Sequence, residues 1–154
     1  QSLEDWLKVY QRTRQLADGH PSIIIGHSIG ATFALRLLEI NLNGPREAVF
    51  LVSGLVGPLE EKEETKKFNK LNQTFYEEQF RWDKISAASK AFFVYHGTDD
   101  PYVPMHHADV IANGLGKDVE VTKIHGGGHI NTESGFTKFE RLWQDLKPLL
   151  DTEA

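Results

Sequence analysis

The chain has 154 residues, 40% of them hydrophobic and 25% charged, with a formal net charge of −5. That length and balance fit a single soluble globular domain with a sizeable core. The acidic balance gives no electrostatic footprint for nucleic acid, no apolar run is long enough to span a bilayer, and the polar, charged N-terminus carries no secretory-signal pattern. The absence of cysteine excludes disulfides, thiolate zinc sites and a thiol nucleophile, and it suits a reducing cytoplasm.

The first expected element is a helix. Ser2 is placed to cap it, with Asp5 three residues on in a capping-box arrangement, and Leu3, Trp6, Leu7 and Tyr10 recur at helical spacing. Asp18-Gly19-His20-Pro21 ends it with turn chemistry, and His20 reads as a surface turn residue. Ile23-Ile24-Ile25 then reads as a short buried strand running into Gly26-His27-Ser28-Ile29-Gly30 and the helix-like segment from Ala31 to Ile40. Asn41 to Pro45 is a loop. Ala48 to Ser53 is a second continuous apolar strand, of the kind found in parallel sheets covered on both faces.

The stretch from Leu55 to Lys90 differs in character. Glu60 to Lys67 is a mixed-charge run, read as solvated, followed by Phe68, Phe75, Tyr76, Phe80 and Trp82. Those aromatics either form a small lid over a pocket or pack the segment onto the body. A short helix is expected near Ile85, and a third strand at Ala91 to Tyr95. A helix opened by Pro104 carries Ala108, Ile111 and Ala112 inward. Val119 to Ile124 alternates as an edge strand does. The last helix is expected from about Ser134, with Phe136, Phe139, Trp143, Leu146 and Leu150 on one face and Pro148 near its end. Strands alternating with helices make the chain α/β.

The turn around Ser28 has the form Gly-x-Ser-x-Gly between a strand and a helix. That is the setting of a nucleophile elbow, with Gly26 and Gly30 placed where strand and helix backbones should come close. A serine hydroxyl needs a base, commonly a histidine oriented by a carboxylate. Both follow at the ends of later strands. The acid is Asp100 in His96-Gly97-Thr98-Asp99-Asp100-Pro101-Tyr102-Val103-Pro104. Its rival Asp99 is explained by an Asx turn. The histidine is His129 after three glycines, preferred to His125. His96 is read as supporting the turn, and the adjacent His106 and His107 point in different directions and lack a metal-ligand spacing. The order Ser…Asp…His is that of the α/β-hydrolases. The expected chemistry is acyl transfer from Ser28, with the Ile29 N–H as one oxyanion donor, no cofactor and no metal.

Ser2-Leu3-Glu4-Asp5-Trp6-Leu7, the Ser28 elbow, Leu51-Val52-Ser53-Gly54, Trp82-Asp83-Lys84-Ile85, the Asp100 turn, and Gly127-Gly128-His129 with Glu133-Ser134-Gly135-Phe136 resemble the small serine α/β-hydrolases, the retinoblastoma-binding-protein-9-like proteins and their bacterial relatives. The resemblance implies a three-layer sandwich around a mostly parallel sheet, a Ser28–Asp100–His129 triad and esterase-like action on small acyl substrates. It also implies two strands and a helix ahead of Gln1, the first strand ending in a His-Gly turn that supplies a second oxyanion donor. The expectation is therefore an N-terminally truncated hydrolase whose elbow strand is a sheet edge, or one in which a second copy, as a homo-oligomer, covers that edge. Two rival readings are an interaction module on an idle hydrolase scaffold and an acyltransferase using the same triad.

Overall fold

The computed structural model describes residues 2–16, 22–40 and 45–150. The turn expected at Asp18 to Pro21 and most of the loop at Asn41 to Pro45 lie outside those residues. Four strands form one parallel sheet in the order β1 (Ile23–His27), β2 (Ala48–Val52), β3 (Phe92–Gly97) and β4 (Val121–Ile124). Sequence order and spatial order coincide, so every crossover must pass over a face of the sheet. The described helices are α1 (Leu3–Leu16), α2 (Ile29–Ile40), α3 (Glu63–Asn72), α4 (Trp82–Ala87), α5 (His106–Leu115) and α6 (Glu140–Leu150). None is long and apolar enough to cross a membrane.

The continuous apolar run of β2 has the expected cause, whereas β1, expected to be buried, lies at an edge of the described sheet and leaves Ile25 52% exposed. Every residue of β2 is buried. Its alternate side chains serve two cores, because successive residues of a strand face opposite sides of the sheet. Val49 and Leu51, with Val94, pack on Ala31, Ala34, Leu35 and Leu38 of α2, Ile85 of α4 and Ile111 of α5. Ala48, Phe50 and Val52, with Tyr95, meet Phe136, Phe139, Leu142, Leu146 and Leu149 on the other face. Fully burying a side chain such as Phe50 contributes roughly 1.5–3 kcal/mol. The product is a helix–sheet–helix sandwich, an α/β fold with its core split between two layers.

Helix α1 starts as its sequence requires. The Ser2 hydroxyl donates to Asp5 Oδ2 at 2.7 Å, and the Asp5 N–H donates back to Ser2 Oγ at 3.2 Å. Trp6 then stands edge-on to Phe33 of α2 and to Phe75. The C-terminal helix departs from expectation. It opens at Glu140, and a 3-10 turn at Thr132–Ser134 precedes it. Its inward face is set by Leu142, Leu146 and Leu149, spaced four and three residues apart, which leaves Trp143 48% and Leu150 45% exposed. Phe136 and Phe139 reach the core from the segment before the helix, so they share its contacts but not its phase.

The aromatic segment is divided between packing roles. Phe75 is fully buried against α1 and α2, and Phe80 stacks on Trp82. Arg36 of α2 is the buried peg that holds this region. Its Nε donates to the Phe75 carbonyl at 2.8 Å, a terminal nitrogen donates to the Glu78 carbonyl, and its guanidinium lies 3.7 Å from the centre of the Phe80 ring. Glu39 grips Arg36 with both oxygens, at 3.0 and 2.9 Å, and accepts the Arg81 N–H at 2.7 Å. Phe68 and Tyr76 instead join Leu55, Leu59 and Val103 against Ile29, beside the elbow.

Removing one member of a buried ion pair strands the other, at a cost of about 3–5 kcal/mol. Arg36→Ala should lower stability by that order in urea unfolding. Arg36→Leu combined with Glu39→Leu should recover a measurable part of the loss, since no uncompensated charge then remains.

Candidate active site

Ser28 follows β1 directly and has a φ of 56°, in the left-handed region. A serine held there costs roughly 1–3 kcal/mol, and the surroundings must enforce it. Two features do so. The Ser28 N–H donates to the Val52 carbonyl at 2.9 Å, and its own carbonyl accepts from Ala31 N–H at 2.9 Å as α2 begins. A Cβ on Gly26 would lie 2.6 Å from Ala31 Cα, so strand and helix cross in contact there. Gly30 differs from the sequence expectation: a Cβ at that position meets nothing within 4 Å. Crowding at the elbow is therefore one-sided: the backbone of Gly30 and Ala31 presses on Gly26, while the Cβ direction at Gly30 is open. Ile29 opens α2, where a backbone N–H has no intrahelical acceptor.

The acid and the histidine are brought together from the ends of β3 and β4. His129 Nδ1 lies 2.8 Å from Asp100 Oδ2, with the Asp100 side chain 1% exposed and that of His129 10% exposed. A carboxylate only accepts, so Nδ1 carries the proton and Nε2 keeps its lone pair. Asp100 Oδ1 takes the N–H groups of Tyr102 and Val103, at 2.9 and 3.0 Å. Burial works to raise the Asp100 pKa. The hydrogen bond from His129, those from Val103 and Tyr102, and the nearby His129 charge together outweigh it and hold the carboxyl below the usual aspartate value. Among the described residues the Ser28 hydroxyl makes no hydrogen bond, so the Asp100–His129 pair is formed while Ser28 is not joined to it.

Asp100 pairs with the histidine as expected, but it also takes the turn role expected of Asp99. The Asx-type turn belongs to Asp100, through the Oδ1 contacts above. Asp99 accepts the Gly128 N–H at 3.0 Å, bracing the histidine loop from 29 residues away. The glycine-rich loop also packs closely on a strand end. A Cβ on Gly97 would stand 2.0 Å from the Gly128 carbonyl oxygen, so the loop presses on the end of β3.

The other histidines separate clearly. His96 is fully buried, and its Nε2 donates to the Val103 carbonyl at 2.8 Å, stiffening the Asp100 turn. His125 is exposed. His107 is buried and accepts the Val56 N–H on Nδ1 at 3.3 Å. Sequence reasoning missed several neighbours of His129. Ser134 Oγ accepts the His129 N–H at 3.1 Å, and Asn131 Oδ1 holds Ser134 in turn. Tyr102 stands edge-on to the imidazole at 5.2 Å and donates its hydroxyl to Glu133. His27 lies on the opposite strand end, its ring 4.8 Å from that of His129. The signals were weak ones: Asn131 followed three residues later by Ser134 is a local capping pattern, and His27 is simply the nucleophile's neighbour.

A groove of 680 Å³ lined by residues such as Lys66, Gln73 and Tyr76, and one of 340 Å³ lined by residues such as Val56, Phe80 and Trp82, both lie on the 55–82 segment, and none of Ser28, Asp100 and His129 lines either.

A parallel sheet with helices on both faces and a serine elbow after a strand is the architecture of the α/β-hydrolases. Within that class the chain belongs to the serine hydrolase family, whose profile matches residues 1–148. It is 29% identical to the serine hydrolase RBBP9 of Rattus norvegicus over 129 residues, which is 84% of this chain and 61% of that protein. The chain thus spans less than two thirds of the length of that curated relative. The ydeN gene product of B. subtilis superposes with a TM-score of 0.78 at 26% identity, over 98% of this chain and 76% of that one. An esterase domain from Rhodothermus marinus shares the fold, with a TM-score of 0.59 at 14% identity over 88% of this chain and 64% of its own.

One consequence is open to titration. Burial, then the charges of His106 and His96, pushes the His107 pKa from 6.5 down to about 4. The unfolded chain therefore takes up this proton first as pH falls. The resulting stability is complete above pH 6.5 and is lost as pH falls from 6.5 towards 4. In urea unfolding across that range, His107→Gln should show a shallower pH dependence than the parent.

Proposed function

We propose that the chain carries the catalytic centre of a carboxylesterase-like serine hydrolase that cleaves small acyl esters. The observation carrying this reading is the 2.8 Å Asp100–His129 hydrogen bond, set at the strand ends beside a serine in a left-handed elbow. Family membership supports the class of reaction.

The chemistry follows from the proton positions. With Nδ1–H given to Asp100, His129 Nε2 takes the Ser28 hydroxyl proton as Oγ bonds to the ester carbonyl carbon. Negative charge moves to the carbonyl oxygen, where the Ile29 N–H is placed to donate. The intermediate collapses, the alcohol leaves with the proton from Nε2, and the acyl group stays on Ser28. Water then attacks, giving its proton to Nε2. The acid departs, and Ser28 Oγ recovers the proton. Asp100 remains ionised throughout and stabilises the transient imidazolium. Ile29, Leu55, Leu59, Phe68, Tyr76 and Val103 pack into an apolar cluster beside the elbow, so the ground next to Ser28 is uncharged on that side.

A fluorophosphonate probe should label the protein at Ser28, and Ser28→Ala should abolish the label. Equal labelling of the variant would sink the assignment. Asp100→Asn should keep the fold and lower turnover of a short p-nitrophenyl ester by ~10⁴, as expected when the histidine loses its orienting carboxylate.

A further inference from the structure

The reading above leaves His27 without a role, yet its ring lies beside His129 and its Nε2 is 2.8 Å from the His129 carbonyl oxygen. A carbonyl only accepts, so this nitrogen carries a proton and donates it. We propose that His27 is a positioning residue, whose hydrogen bond to the His129 carbonyl holds the general base in line with the elbow. The inference rests on Ser28 and His129 acting as nucleophile and base.

Two observations support it. The first is a census of His129. Its N–H goes to Ser134 Oγ, its Nδ1 to Asp100, and its carbonyl oxygen to His27 and, at 3.4 Å, to the buried Ser53 hydroxyl. Nε2 alone is left without a partner among the described residues, and it is the atom that must accept the Ser28 proton. The second is strain next door. Ile130 has a φ of 49°, an outlier for a β-branched residue and worth roughly 1–3 kcal/mol. A flip of the peptide between His129 and Ile130 would relieve that angle, at the cost of the carbonyl's bonds to His27 and Ser53 and of the Ile130 N–H bond to the Gly127 carbonyl at 2.9 Å. His27 opposes the flip from β1, the strand that also delivers Ser28. The hydrogen bond therefore ties base and nucleophile to one strand end.

Since His27 is exposed on a strand edge, its replacement should leave the fold intact. The test compares His27→Asn, whose amide is too short to reach the carbonyl, and His27→Leu, which has no donor, with His27→Gln, whose amide nitrogen can take the place of Nε2. The intact protein is assayed with a fluorophosphonate probe and p-nitrophenyl acetate, with urea unfolding alongside. We expect both His27→Asn and His27→Leu to lose ~10–100-fold in labelling rate and kcat with little change in KM, a loss of the size that misplacing a catalytic group produces. His27→Gln should recover most of it. Full activity in His27→Asn, or an equal loss in His27→Asn and His27→Gln, would overturn the proposal while leaving the serine mechanism standing. If Ser28→Ala labels as well as the parent, the mechanism fails and this inference falls with it.

Discussion

The backbones of Gly97 and Gly128 touch where the end of β3 meets the loop after β4, with no room for a methyl group between them. Much of the site's geometry depends on that contact. The turn after Gly97 carries Asp99 and Asp100, and the loop around Gly128 carries His129. Closing the gap lets Asp99 take the Gly128 N–H and Asp100 take the imidazole, so two adjacent carboxylates act as a brace and an orienting acid. A side chain at position 97 would push the loops apart and loosen both bonds together.

The sheet gives this contact its precision. The register runs His27 to Val52, Val52 to Tyr95 and Tyr95 to Thr122, so β1 and β2 end level and β3 and β4 run two residues further. Parallel pairing with helical crossovers gathers every C-terminal strand end on one rim, where ligands of α/β proteins bind. The two core layers hold that rim rigid, and the Arg36–Glu39 pair pins the later part of the 55–81 segment at a distance from it. Rigidity is thus concentrated at the rim that carries Ser28, Asp100 and His129.

The sequence was most legible where local chemistry decides the outcome. Continuous apolar runs marked β2 and β3, Ser2 with Asp5 marked the start of α1, and turn chemistry after the strands marked the positions at which Ser28, Asp100 and His129 lie. It was least legible where a choice depended on residues far away. The turn pattern selects Asp100 over Asp99, but that Asp99 braces the histidine loop depends on Gly128, 29 residues on. The phase of α6 was misjudged because Phe136 and Phe139 match a helical pattern while lying before the helix. Gly30 resembles Gly26 in the motif, but the crowding that would require it is absent. His27 drew no attention, since what gives it meaning is a carbonyl 102 residues away.

Ser28, Ser53 and Ile130 are the described non-glycine residues with positive φ, and each lies at a strand end or beside His129 on the same rim. At roughly 1–3 kcal/mol apiece, these conformations are a substantial charge against a fold whose whole stability is of order 5–15 kcal/mol. Ser28→Gly would relax one of them and remove the hydroxyl in the same step. Under the proposed mechanism the route to a more stable chain and the route to an inert one therefore begin at the same residue, which sets selection for robustness against selection for chemistry.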